Sequence, residues 1–342
     1  MVEWLARVFF YIRRNEELKK LPINENGLNA SQLVFGCMGL GGSWDPSPVE
    51  PEHVKQAHEA VEAALVSGIN MFDHADIYTL GKAERVFGQV LKERPGLREE
   101  IIIQSKCGIR FGDQEAGLPT RYDFSKSYIL DSVDGILSRL GIEYLDTLLL
   151  HRPDPLMDPS EVGEAFHQLK ASGKVRSFGV SNMSAGQIRL LQQHTDEKVM
   201  VNQLEMSLHK IGWLDTGVHV NQEAARQNTF PEGTLEYCQM ENIQIQSWGS
   251  LAKGLYSGKN IENESESVKN TAALVQKLAE EKQTTPEAIV LAWLMRHPAA
   301  IQPVIGTANP ARIKASAEAV NITLTRDEWY TLYVSSRGVN LP

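Results

Sequence analysis

Eight short, nearly continuous apolar runs constrain this chain more than any other feature. They are LVFGCM (33–38), INMFD (69–73), IIIQSK (101–106), YLDTLLLH (144–151), VRSFGVS (175–181), VMVNQ (199–203), IQIQSW (243–248) and IQPVI (301–305). Runs rich in Val, Ile and Leu, without alternation, read as strands buried on both faces. Helix-period segments lie between them. In 53–66 the apolar stripe is read as Val54, Ala57, His58, Val61 and Leu65, and in 125–140 as Ile129, Val133, Ile136, Leu137 and Leu140. Such helices are the crossovers a parallel sheet requires. Eight strand–helix units in one chain predict an α/β fold, a closed (β/α)8 TIM barrel with long rim loops. Two intervals exceed a single crossover: 204–242, read as an extended loop, and 249–300, read as a loop followed by two helices. Thr285-Pro286-Glu287 marks the start of the second.

Charge and cysteine usage exclude several classes of function. The chain of 342 residues has 34 basic and 43 acidic side chains, a net charge of −9, with no basic stripe to meet a phosphate backbone. A nucleic-acid partner is therefore excluded. Cys37, Cys107 and Cys238 are far apart, giving neither a disulfide framework nor metal-ligand spacing, so no metal is expected and a reducing, cytoplasmic location is. No run approaches the roughly 18 apolar residues of a membrane span. In the first residues, Trp4, Val8, Tyr11 and Ile12 share one helical face with Arg7, Arg13 and Arg14 nearby. Without an h-region or cleavage site, 1–22 reads as an N-terminal helical appendage or leader, and 23–342 as a single barrel domain. Oligomeric state is left open.

A barrel of this kind places its active site at the C-terminal ends of the strands. The polar residues there are Asp73, Lys106, His151, Ser181 with Asn182, Gln203 and Trp248, with Tyr78 a turn beyond Asp73. Asp73, Tyr78, Lys106 and His151 suit proton donation to a carbonyl. A free tyrosine titrates near 10; an adjacent ammonium is expected to lower that value, with a carboxylate fixing the ammonium and a histidine orienting the carbonyl. Protonating a carbonyl oxygen is half of a reduction. The hydride must come from a nicotinamide or flavin.

Several segments, taken together, resemble the aldo-keto reductase family, and within it the bacterial oxidoreductase-like branch. They are FDHADIY (72–78), IIIQSK (101–106), LLLHRPD (148–154), GKVRSFGVSN (173–182), VNQLEMS (201–207), SWGSLAKG (247–254) and VIGTANPARI (304–313). The resemblance implies Tyr78 as general acid, tuned by Lys106 and Asp73, with His151 on the carbonyl. It implies Ser181, Asn182 and Gln203 on the nicotinamide carboxamide, Trp248 stacked on the ring, and Gly249, Ser250 and Leu251 along the pyrophosphate. Asn309-Pro310 reads as an N-cap and first helical residue, so with Thr307 it forms a phosphate site. Arg312 matches the family arginine for a ribose 2′-phosphate, which implies NADPH (NADP+). No Gly-x-Gly-x-x-Gly follows a strand, against a Rossmann site.

The sequence departs from the family at Thr79-Leu80, where glycine is common, at Gly306, where some members have lysine, and at Ala315-Ser316 near the adenine. Trp44, Arg110, Phe111 and Trp213 are candidate walls of a substrate pocket. The function so read is NADPH-dependent reduction of aldehydes or ketones, a small-molecule carbonyl being the partner. The alternative is a cofactor-binding, redox-sensing regulatory subunit. A metal-dependent barrel enzyme would need clustered ligands that the strand ends lack.

Overall fold

All eight apolar runs form strands, and the strands close on one another. The computed structural model describes residues 21–113 and 115–342. The strands are β1 (Val34–Gly36), β2 (Met71–Asp73), β3 (Ile102–Cys107), β4 (Leu145–Leu150), β5 (Val175–Ser181), β6 (Val199–Glu205), β7 (Gln244–Trp248) and β8 (Gln302–Ile305). Each is parallel to its neighbours, and β8 pairs with β1 to complete the barrel. Every residue of β3 and β4 is buried, as expected of strands covered by helices outside and packed side chains inside.

The helices used below are α1 (Pro51–Val66), α2 (Lys82–Glu93), α3 (Lys126–Leu140), α4 (Pro159–Ala171), α5 (Ala185–Gln192), α6 (Thr234–Met240), α7 (Glu266–Glu281), α8 (Pro286–Met295), α9 (Pro310–Ala317) and α10 (Arg326–Arg337). In α3 the buried residues are Ile129, Val133, Ile136, Leu137 and Leu140, the stripe read from the sequence. In α1 the buried stripe is Ala57, Ala60, Val61, Ala63 and Ala64; the small side chains bring the helix onto the barrel. Val54, His58 and Leu65 fall at its edge, and His58 instead meets Glu93 at 2.8 Å. Thr285 caps α8 through the N–H of Ala288, as its Thr-Pro-Glu start predicts.

The reading of 204–242 as an extended loop is corrected. It contains a helix at Gly212–Val218, a 3-10 turn at Glu223–Gln227, and α6. Trp213 accounts for the first of these. Its indole is buried, edge-on to Trp293 at 5.8 Å and to His297 at 5.1 Å. Burying an aromatic ring offsets the ordering of so short a helix.

At the opposite end of the barrel, Leu21 and Ile23 are buried in one cluster with Val34, Met71, Leu149, Val201 and Val304. The appendage read at 1–22 lies, for residues 1–20, outside the described residues. Among the described residues, no helix is long and apolar enough to cross a membrane.

Candidate active site

Strand register sets the site. Asp73, the last residue of β2, pairs with Gln104 of β3, and Lys106 lies two residues further along β3 on the same inward face. Lys106 Nζ donates to Asp73 Oδ2 at 2.7 Å, to the carbonyl of His74 at 2.9 Å and to Tyr78 Oη at 3.0 Å. All three ammonium protons thus have acceptors, which is what permits a lysine 1% exposed. His151 follows β4, and its ring lies edge-on to Tyr78 at 6.0 Å. Trp44, half exposed, closes the other flank of Tyr78 at 6.4 Å between ring centroids.

The turn presenting Tyr78 is bent by two non-glycine residues in the left-handed region, Thr79 (φ 47°) and Leu80 (φ 59°), followed by Gly81 (φ 81°). Such residues each cost of order 1 kcal/mol or more and persist only when the surroundings hold them. Here the fully buried Thr79 hydroxyl lies between two acceptors, the carbonyls of Tyr78 at 2.8 Å and Leu40 at 3.0 Å. The sequence departure at Thr79 is thereby explained, since a pinned side chain does the work of a glycine; nothing in the structure explains the left-handed Leu80.

Acid–base behaviour follows from burial. Burial raises the Tyr78 phenol above its ordinary value; Lys106 opposes the rise without cancelling it. The expectation of a lowered tyrosine is therefore corrected, because loss of solvent outweighs the neighbouring ammonium. For Lys106 burial works downward, but Asp73 and Tyr78 more than offset it and the ammonium is held. Burial, with the charges of Lys106 and Arg152, pushes His151 well below the usual imidazole range, so its ring is neutral. Its Nδ1 is buried without a partner among the described residues.

The remaining rim residues form a second, adjoining set. Asn182 adopts a left-handed φ of 59°, tolerable for asparagine. Its amide donates to the Ser181 hydroxyl at 2.8 Å and to the carbonyl of His151 at 3.3 Å, and accepts from the Trp248 indole at 3.0 Å. Ser181 Oγ donates to the carbonyl of Gln203 at 2.9 Å. The Arg152 guanidinium lies over the Trp248 ring at 5.3 Å. Ser250 is buried and its hydroxyl donates to the carbonyl of Val304 at 2.7 Å, which leaves only its backbone for a phosphate.

At the end of β8 the expected cap is present. Asn309 Oδ1 accepts from the N–H groups of Ala311 and Arg312 at the start of α9, and Thr307 Oγ1 accepts from that of Asn309. Arg312, exposed in this first turn, reaches the carbonyl of Ser257 at 3.5 Å and approaches Glu287 at 3.9 Å. Among the described residues beyond its chain neighbours, none comes within 4 Å of where a Cβ on Gly306 would sit, so there is open space beside this end of β8. A capped N-terminus flanked by an exposed arginine with only long contacts to Ser257 and Glu287 among the described residues fits an anionic cofactor.

Two further candidate walls are placed elsewhere. Arg110 pairs with Asp123 at 3.0 Å, and with Phe111 it lines a cavity of about 410 Å³ shared with Asp76, Leu80 and Tyr128, not with Tyr78 or His151. Trp213 is a packing residue, as described above.

Sequence reading missed several buried polar residues. Glu84 is wholly buried, bonded to Arg139 Nε at 2.7 Å and to Ser105 Oγ at 2.9 Å. Gln104, Gln246 and Gln302 are also buried and linked to one another or to Asp73. Their signal was a glutamine interrupting each of three apolar runs.

Comparison with known proteins agrees with this geometry. The model of the "Aldo/keto reductase family" matches residues 32–333. The chain is 36% identical over 318 residues to a 6-dehydroglucose reductase of Agrobacterium fabrum, covering 91% of this chain and 96% of that one. It is 38% identical over 327 residues to an uncharacterised oxidoreductase of Bacillus subtilis, covering 95% and 100%. Its fold is similar to that of a glycerol dehydrogenase from Gluconobacter oxydans, with a TM-score of 0.75, 21% identity and coverage of 93% and 94%. A similar fold is seen in an aldo/keto reductase from Klebsiella pneumoniae in complex with NADP and acetate, with a TM-score of 0.68, 23% identity and coverage of 89% and 90%.

Proposed function

Because the chain belongs to the aldo/keto reductase family, we propose that it reduces aldehydes and ketones to alcohols with NADPH, residues 23–342 acting as one catalytic unit. Bound in this site, NADPH supplies the hydride. The rest of the chemistry falls to the chain. The observation that carries the reading is the buried line from Asp73 through Lys106 to Tyr78, with bonds of 2.7 and 3.0 Å ending at a phenol on the rim.

Tyr78 is the general acid, giving its proton to the carbonyl oxygen as that oxygen gains negative charge. Lys106 keeps its own proton and steadies the phenolate left behind, and Asp73 keeps Lys106 in place. A neutral His151 can donate a hydrogen bond to the same oxygen without competing as a proton source. Ser181, Asn182 and Gln203 hold the carboxamide, and Trp248, fixed by its bond to Asn182, provides a flat apolar face that excludes water. Gly249, Ser250 and Leu251 follow the pyrophosphate through their backbone, and Thr307 with Arg312 takes the 2′-phosphate. Trp44 forms a wall of the carbonyl pocket.

The test uses purified protein, NADPH and an aldehyde panel that includes 6-dehydroglucose, the compound named for the Agrobacterium relative. Tyr78→Phe should lower kcat by about a thousandfold or more, while NADPH affinity stays within about threefold. A Tyr78→Phe enzyme retaining full turnover sinks the mechanism.

A further inference from the structure

Barrel interiors of this type are filled by layers of branched apolar side chains. One layer here is made of amides. Gln203 of β6 is in register with Gln246 of β7, and Gln246 with Gln302 of β8, so the three point inward at one level. Gln104 reaches them from β3, across the barrel. None of the four is more than 2% exposed.

Their hydrogen bonds run in one direction. Gln302 Nε2 donates to the carbonyl of Ser31 at 2.7 Å, and Gln246 Nε2 donates to Gln302 Oε1 at 3.0 Å. Gln246 Oε1 accepts from Gln104 Nε2 at 2.8 Å and from Gln203 Nε2 at 3.0 Å. The same two nitrogens donate to Asp73 Oδ1, at 2.6 and 3.1 Å. A backbone carbonyl can only accept, so Ser31 fixes which end of Gln302 faces it, and each amide fixes the next. Gln104 Oε1 is left buried without a partner among the described residues. An unpaired buried oxygen is unfavourable, and the nitrogen of the same amide is the end turned to Asp73 and Gln246.

We propose that Gln246 is a positioning residue for the reduction. Through Ser31 and Gln302 it orients Gln104 and Gln203 so that both donate to Asp73 Oδ1, leaving Oδ2 for Lys106 and Gln203 Oε1 for the nicotinamide carboxamide. The inference rests on the reading of Tyr78 as proton donor to a carbonyl.

Two variants test it. Gln246→Met keeps the volume and removes the relay. It should lower kcat about tenfold and weaken NADPH binding, read by fluorescence titration, about fivefold, with the aldehyde KM unchanged. Gln246→Glu discriminates further. Protonated, its carboxyl donates to Gln302 and accepts from Gln104 and Gln203. Ionised, it loses that donor and places a second negative charge beside Asp73; among the described residues Lys106 is the one cation bonded to Asp73. Activity near that of the wild type at about pH 6, falling toward pH 8 with an ionisation the wild type lacks, supports the relay. A folded Gln246→Met with unchanged kcat and NADPH affinity overturns it. If that variant does not fold, an unaltered pH profile in Gln246→Glu overturns it instead. A wild-type protein that binds NADPH but reduces nothing sinks the catalytic reading, while the binding arm still decides the relay.

Discussion

The phenolic oxygen of Tyr78 lies 3.0 Å from the ammonium of Lys106, and the loss of solvent around the pair outweighs the charge between them. The phenol is therefore raised, so the proton donor is present at every pH below the ordinary tyrosine value of about 10 and is lost only above it. His151 is depressed well below 6.5, so its ring is neutral from about pH 6.5 upward. The pH profile of kcat/KM for aldehyde reduction should be flat between about pH 7 and 9 and fall above about 10. A descending limb near pH 8 would show that Lys106 dominates over burial after all.

Removing Lys106 tests the other side of that relationship. Lys106→Met leaves the carboxylate of Asp73 buried with two amide donors but no cation. Breaking a buried pair from one side typically costs about 3–5 kcal/mol, and loss of the group that steadies the phenolate should cost about 100-fold or more in kcat. Adding Asp73→Asn removes the stranded charge. The double variant should regain most of the stability in urea titrations while remaining catalytically impaired. If stability and turnover recover together, the pair is structural only.

How legible the site was depended on whether a residue announced itself by position or by partner. Asp73, Lys106, His151 and Trp248 end apolar runs, so strand periodicity alone sends them to the rim, and all eight runs are strands. Asn309-Pro310 has a local code, and the cap it predicts is present. Trp213 failed because an aromatic ring in a polar stretch fits a pocket wall as well as a short helix folded onto Trp293. Only the long-range packing separates the two. Gln104, Gln246 and Gln302 are not legible because an isolated glutamine in an apolar run has no partner in the sequence; its partners lie on other strands. The tyrosine shift was misjudged for a related reason, since sequence supplies the neighbouring charge but not the degree of burial.

Arg312 offers the sharpest test of cofactor choice. It stands in the first turn of a capped helix, exposed, and among the described residues its polar contacts are the long ones to Ser257 and Glu287. Such a side chain has little to lose on turning toward a phosphate. A charge-assisted hydrogen bond contributes about 1.5–3 kcal/mol, so Arg312→Ala should raise the KM for NADPH about 10- to 100-fold and leave that for NADH within about twofold. Equal losses with both cofactors would move the 2′-phosphate site elsewhere.

His74 yields a prediction about stability. It is fully buried against Phe87, at 4.6 Å between rings, and neither ring nitrogen has a partner among the described residues. Burial, aided by Lys106, brings its pKa down to about 3. Above pH 6.5 the imidazole is neutral in both folded and unfolded chains and contributes nothing to the pH dependence. Below 6.5 the unfolded chain takes up a proton that the folded chain refuses, so stability falls as pH drops, by up to about 1.4 kcal/mol per unit, until about pH 3. Asp76 acts in the opposite sense. Burial, then repulsion from Glu84, raises it to about 7, so below that pH the folded chain binds a proton the unfolded chain releases down to its own value of 3.8, and stability rises. The wild type thus masks the histidine. His74→Met should unmask it: at pH 8 the variant should be more stable by about 1–2 kcal/mol, through loss of the unpaired nitrogens. By pH 5 that advantage should widen by about 2 kcal/mol. Urea titrations at pH 8, 6.5 and 5 measure the gap, and a gap that does not change with pH would mean that His74 takes up its proton inside the fold.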